Sequence, residues 1–355
     1  MIQFSSGNLL EADVDALVNT VNCVGFMGKG IALQFKQAFP ENFTAYQKAC
    51  HASEVRPGRV FVFETRSMIG PKYIINFPTK RHWRGDSRME DIEAGLEDLV
   101  QVVRRLGVQS IALPPLGCGL GGLNWGDVRP RIEQAFASFA DVRVLLFAPT
   151  GAPDAKTMPV RTKKPNMTHA RALFIKLMER YTGMAYRLTL LEVQKLAYFL
   201  QESGEPLKLK YEAGPHGPYA ENLNKVLQVI EGHFTRGYGD SPKPDRDIEL
   251  LPGAVEAADV FLGKAEETPS QERLRKVAEL IEGFETPYGM ELLSSVHWVA
   301  NHGEPRACNV GSAIAAVHNW NERKQRMFTP PHIAISWRRL EETGHLAGST
   351  IDCPK

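Results

Sequence analysis

The stretch Val18–Phe35, VNTVNCVGFMGKGIALQF, carries an apolar run into a helix through a Gly-Lys-Gly turn. It predicts a buried strand over Ala16–Val21 and a helix over Gly30–Phe39. Two asparagines, Asn19 and Asn22, fall near the strand's end. An amide offers a donor and an acceptor, which suits paired hydroxyls. Gly28 and Gly30 let a backbone approach a phosphate, and Lys29 adds charge. Alone, the same residues also describe an ordinary strand–turn–helix joint with asparagines as turn formers.

Two segments further along share this chemistry. Ile75–Arg84, INFPTKRHWR, puts Lys80 after the strand Tyr73–Phe77, with Thr79, Arg81, His82 and Arg84 around it. Neighbouring positive groups disfavour a charged amine, and a neutral amine can attack an electrophilic carbon. Leu113–Trp125, LPPLGCGLGGLNW, sets Gly117, Gly119, Gly121 and Gly122 about Cys118 and Leu120, just after an apolar strand. Glycines so dense let backbone N–H groups meet an anion, though a tight turn would use them too. Cys118 has no nearby base to activate it and reads as a small buried residue.

Between these segments, strands and helices alternate. Ile2–Phe4, Val60–Glu64, Ser110–Pro114 and Val142–Phe147 predict strands, the second pairing with Tyr73–Phe77. Glu41–Ala49 and Gly126–Phe139 predict helices. Met89–Leu106 does so most clearly, with Ile92, Leu96, Leu99, Val100 and Val103 on one face and Gly107 as its stop. This order predicts an α/β sheet, whose ligands sit outside the carboxyl ends of the strands.

The 355 residues suffice for two cores. Charge is balanced through Asp154, Ala155–Lys164 holds four bases and no acid, and the remainder carries a net −3. Such a chain is not built for tight non-specific nucleic-acid binding. Residues 1–150 form the α/β domain in this reading, 151–165 a Pro- and base-bearing linker, and 166–355 a mainly helical domain. Its candidate helices are Ala170–Arg180, Thr189–Glu202, Ala220–Gly232, Ser270–Phe284, Gly289–Ala300, Val310–Gln325 and Ile333–Thr343. Cys23, Cys50, Cys118, Cys308 and Cys353 are scattered with no CxxC pair, so neither a metal site nor a disulfide framework is expected. No membrane-length apolar run and no secretory leader are legible, and a reducing cytoplasm fits.

Taken together, the three segments resemble macrodomains of the ADP-ribosyl-glycohydrolase type. The branch is the one that holds human terminal ADP-ribose glycohydrolase and the antitoxins of DarTG systems. The resemblance covers residues 1–150. MacroD-type relatives have a long glycine run in the first loop, where this chain has Met27-Gly28-Lys29-Gly30-Ile31-Ala32. It implies an α/β macrodomain with a mixed central sheet, and an enzyme that removes ADP-ribose from thymine in single-stranded DNA. Lys80 and Asn22 would be catalytic, Asn22 holding the distal ribose. Lys29, Gly30, Ile31 and Ala32, with Gly117, Cys118, Gly119, Leu120, Gly121, Gly122 and Leu123, would hold the diphosphate. Asn8, by its carbonyl, would meet the adenine amino group, and Leu9 and Phe147 would complete the ADP-ribose site. ADP-ribose is the ligand and product, and no cofactor or metal is implied.

Two positions depart from the pattern. Macrodomains carry Gly-Asp where this chain has Gly7-Asn8, and the human enzyme has an aspartate where this chain has Gly121. In the second half, Leu190–Leu227 resembles SocA-like, or Panacea, antitoxin domains. The resemblance rests on Gln194, Lys195, Leu196 and Tyr198, followed by Gly214-Pro215-His216-Gly217-Pro218. Such a domain implies a DarT-type toxin as partner, and His216 reads as a turn residue. Two rivals stay open from the residues themselves: a hydrolase of protein-linked ADP-ribose, and a reader that binds ADP-ribose without turnover. Lys80 and its basic neighbours favour an enzyme.

Overall fold

A computed structural model describes residues 1–67, 69–139, 141–149, 158–183, 188–239, 247–263 and 269–346. The chain divides into two compact units: Met1–Lys164 with Gly239–Pro242, and Pro165–Tyr238 with Lys243–Lys355.

The first unit is a six-stranded mixed sheet. Its strands are β1 (Ile2–Ser5), β2 (Ala16–Asn22), β3 (Phe61–Glu64), β4 (Tyr73–Lys80), β5 (Ser110–Leu113) and β6 (Arg143–Phe147), in the order β1-β6-β5-β2-β4-β3. Only β3 runs antiparallel, against β4. Helices α1 (Gly30–Ala38), α2 (Pro40–His51), α3 (Met89–Leu106) and α4 (Trp125–Phe136) follow the strands. β2 opens on an apolar run because both its faces are covered there: Ala16, Leu17 and Val18 are wholly buried. The α3 face is close to the expected one. Ile92, Leu96, Leu99 and Val103 are buried, each worth about 1.5–3 kcal/mol, while Val102 is buried and Val100 only partly so. Gly95 lets this helix close on the sheet, since a Cβ there would lie 2.4 Å from the Phe77 ring. Gly107 ends it in the left-handed region (φ 63°).

β4 runs three residues further than its apolar pattern predicts, through Pro78 to Lys80. β3 pairs only as far as Phe61 opposite Asn76, so one edge of β4 beyond that point has no partner strand to require the missing N–H of proline.

The second unit is largely helical. It contains α5 (His169–Thr182), α6 (Leu190–Glu202), β7 (Tyr211–Gly214), β8 (Gly217–Ala220), α7 (Leu223–Ile230), β9 (Thr235–Arg236), β10 (Glu249–Leu250), α8 (Ala254–Leu262), α9 (Pro269–Ile281), α10 (Pro287–Asn301), α11 (Val310–Trp320), α12 (Glu322–Met327) and α13 (Pro330–Glu342). Two differences from the sequence reading have local causes. Ala220 ends a hairpin strand, so the helix expected from that residue starts at Leu223. The run Val310–Gln325 breaks at Asn321, which is extended (φ −166°) and caps α12 through its side chain. Helix α8 falls where the sequence reading places none. Cys308 takes part in a disulfide, against the expectation of none, while Cys23, Cys50 and Cys118 are free. Residues 151–157 of the expected linker lie outside the described residues. No described helix is long and apolar enough to cross a membrane.

Candidate active site

Apart from Asn19, which sits within β2, the residues singled out in the first half lie at or beyond the carboxyl end of a parallel strand. β1 leads to Asn8 and Leu9, β2 to Asn22 and the Gly-Lys-Gly turn, β4 ends on Lys80, β5 feeds the glycine loop, and β6 ends on Phe147. One irregularity sets the centre. β2 and β4 stay in register up to Val21 opposite Pro78, and then a bulge makes Asn22 the partner of Lys80. Bulges re-aim side chains at strand ends. Here the bulge sets the lysine beside the asparagine.

The Lys80 amine donates to the Leu120 carbonyl, tying β4 to the glycine loop. Burial holds its pKa below the ordinary lysine value, and the Asp86 carboxylate opposes the shift. The cause differs from the expected one, a neighbouring positive charge. The Arg81 guanidinium is forked onto Asp91 instead, at 3.1 Å in both contacts.

The Asn22 amide is largely occupied with shaping the turn after β2. Its Oδ1 accepts from Val24 N–H (3.0 Å), Phe26 N–H (3.3 Å) and the Tyr46 hydroxyl (3.2 Å), and Nδ2 donates to the Phe26 carbonyl (2.6 Å). One Nδ2 hydrogen is left for a ligand, so Asn22 offers a donor and not the donor–acceptor pair expected. Asn19 lies deeper, donating to Asn76 Oδ1 (3.0 Å), which also accepts from Asn42 (3.2 Å).

The glycine loop uses some of its amides internally. Cys118 N–H donates to Pro115, Gly122 N–H to Gly119 and Leu123 N–H to Gly117. Among the described residues no acceptor takes the N–H of Gly119, Leu120 or Gly121. Gly119 has open space where a Cβ would stand. Gly121 does not: a Cβ would fall 2.2 Å from Ser87 Oγ and 2.3 Å from the Gly117 carbonyl oxygen. No side chain fits at 121, and Asp86, beside Ser87, is the carboxylate whose charge reaches Lys80. Cys118 is half-buried, and burial raises its thiol to about 11, so it is no thiolate.

At the first turn, Gly30 (φ 58°) opens α1 within reach of the loop, its Cβ position 3.8 Å from Leu120 Cδ1. Its N–H already donates to the Gly239 carbonyl (2.9 Å). The amides that α1 itself leaves unused are those that follow, at Ile31 and Ala32. Lys29 precedes the helix without capping it. Leu9, Phe147 and Ile31 pack in one apolar cluster. Asn8 Oδ1 accepts from Leu10 N–H (3.0 Å), while its Nδ2 is buried and unpartnered. The Asn8 carbonyl oxygen keeps a second lone pair beside this bond.

Sequence reading missed Asn42, Tyr46, Asn76, Asp86 and Ser87. No local signal marks them, because each acts across a gap in the chain.

In the second unit, the Gln194-Lys195 and Gly-Pro-His-Gly-Pro motifs are one packing device. Gln194 exchanges two hydrogen bonds with the Ala220 backbone (3.0 and 3.1 Å), and Lys195 donates to the Pro218 carbonyl (2.7 Å). His216 lies at the β7–β8 turn, 3.5 Å from the buried Glu291. Glu291 is held by Arg323 (2.7 and 3.0 Å) and Lys324 (2.7 Å).

A model of the Macro domain family matches residues 18–132. A DNA ADP-ribosyl glycohydrolase of Thermus aquaticus is 46% identical over 98% of this chain and 94% of its own. One of Mycobacterium tuberculosis is 43% identical over 96% of this chain and 99% of its own. A Thermosipho africanus protein is 32% identical over 43% of this chain and 44% of its own; it is a DNA ADP-ribosyl transferase–DNA ADP-ribosyl glycohydrolase fusion. With near-complete coverage at this identity, the chain belongs to the DNA ADP-ribosyl glycohydrolases, the DarG family, and its first unit is a macrodomain.

Proposed function

We propose that the first unit hydrolyses the bond between the ribose of ADP-ribose and a thymine nitrogen in single-stranded DNA. The observation that carries this is the bulge that pairs Asn22 with Lys80, next to a loop with three backbone amides that meet no acceptor among the described residues. The N–H groups of Gly119, Leu120 and Gly121, with those of Ile31 and Ala32, face the diphosphate, as an anion at a helix start and a glycine loop requires. Lys29, Gly30, Gly117, Cys118, Gly122 and Leu123 shape that cradle. Leu9 and Phe147 form its apolar wall, and the Asn8 carbonyl accepts from the adenine amino group. Asn22 donates to a hydroxyl of the distal ribose. That ribose presents its anomeric carbon to Lys80.

The reaction adds a hydroxyl from water to the anomeric carbon and a proton to thymine. Lys80 acts at that carbon, as nucleophile or as the group that steadies developing charge. Binding energy from the ADP portion fixes the approach. Asp86 is the acid placed to tune the lysine, a part that position 121 has no room to play. The second unit binds a DarT-type toxin. The fused transferase–glycohydrolase relative supports the pairing of the two activities.

The test is to incubate the purified chain with a single-stranded oligonucleotide ADP-ribosylated on thymine and, separately, with ADP-ribosylated protein. Free ADP-ribose from the oligonucleotide alone is expected. Release from protein alone would move the assignment to protein-linked ADP-ribose.

A further inference from the structure

Four large apolar side chains stand open to solvent around the Asn22–Lys80 pair: Val24 (38% exposed), Phe26 (50%), Trp83 (36%) and Leu120 (46%). Three of them are tied to that pair through the backbone, Val24 by its N–H to Asn22 Oδ1 (3.0 Å). The Phe26 carbonyl accepts from Asn22, and the Leu120 carbonyl accepts from Lys80. Trp83 follows Lys80 by three residues and lies 6.2 Å from the Phe26 ring, centroid to centroid. The His82 ring is 5.4 Å from the indole, and the Arg84 guanidinium lies over it, 4.5 Å from its centroid. Arg81 is neutralised by Asp91, but Arg84 makes no ion pair among the described residues.

An exposed indole with a guanidinium over it and a second ring beside it is a surface on which a flat aromatic partner stacks. Arg84 supplies charge for a phosphate at the same place. We propose that Phe26 and Trp83 form a stacking rim for the bases of single-stranded DNA next to the modified thymine, with Arg84 on the backbone phosphate. The proposal rests on the reading of the site given above and adds to it the part of the substrate that lies outside ADP-ribose. Stacking of this kind tolerates any neighbouring base, since every base has a π face.

The test compares three substrates of the full chain: an oligonucleotide ADP-ribosylated on one thymine, ADP-ribosylated thymidine as the free nucleoside, and ADP-ribosylated protein. Trp83→Ala should lower kcat/KM on the oligonucleotide by about tenfold or more and leave the nucleoside within about twofold, with Trp83→Phe restoring most of the loss. Equal losses on oligonucleotide and nucleoside, or a loss on neither, would overturn the rim. So would a loss confined to ADP-ribosylated protein, which would make the rim a protein contact. If the unaltered chain releases ADP-ribose from neither the oligonucleotide nor the nucleoside, the proposed function itself fails, and the rim with it.

Discussion

The two units each lower the pKa of a lysine by burial, and they do so to different ends. Lys195 of the second unit is enclosed, donates to the Pro218 carbonyl at 2.7 Å, and is pulled down to about 7 by burial with Lys324 nearby. Around it Glu291, Arg323 and Lys324 satisfy one another. Lys80 of the macrodomain is only partly buried and stands at a strand end, tied to a loop in which the amides of Gly119, Leu120 and Gly121 meet no acceptor among the described residues. A perturbed lysine is therefore a poor marker of a site by itself. What distinguishes the two is whether the surrounding polar groups are already paired.

That contrast can be broken by removing a group from each side. The largest expected effect is on stability in the second unit. Glu291→Ala leaves Lys324 buried without its counter-charge, and should cost about 3–5 kcal/mol of unfolding free energy. ADP-ribose release by whatever protein remains folded should be unchanged. A variant with unaltered denaturant midpoint would mean that the Glu291 network is not a structural device.

Next comes binding at the macrodomain loop. Gly119 has room for a side chain, so Gly119→Glu should fold. Its carboxylate would occupy the diphosphate position and weaken ADP-ribose affinity by about a hundredfold, roughly 2.7 kcal/mol. Unchanged affinity by calorimetry in a folded variant would place the ligand elsewhere.

The smallest effect sharpens the comparison. Asp86 raises the pKa of Lys80 against the lowering by burial, so Asp86→Asn should lower it further. The lysine limb of the pH–rate profile should then move to lower pH. If the neutral amine is the reactive form, activity rises with pH along that limb; if the ammonium is, activity falls. A limb that stays in place would separate Asp86 from the chemistry.

Much of the macrodomain was legible because its signals are local. The apolar run of β2, the period of α3 and the glycines after β5 each report on neighbours in sequence. The pairing of Asn22 with Lys80 was not, because the register of two parallel strands and its bulge depend on contacts between residues far apart in the chain. Likewise the Ser87 side chain fills the space at Gly121 from outside the loop, and no spacing rule announces it. The reason for the lowered lysine was also misplaced. Arg81 looked like a neighbouring charge, but its partner Asp91 was not visible beside it in sequence. In the second unit the β7–β8 hairpin escaped notice because its strands are four residues long and flanked by proline and glycine, which read as turn.

The central claim is that Lys80 acts on the anomeric carbon, and single-turnover release from an oligonucleotide ADP-ribosylated on thymine tests it most directly. Lys80→Ala should slow release by about a hundredfold or more, about 2.7 kcal/mol in barrier, while ADP-ribose affinity and the thermal midpoint stay near those of the unaltered chain. Release within about tenfold of the unaltered rate would contradict the assignment.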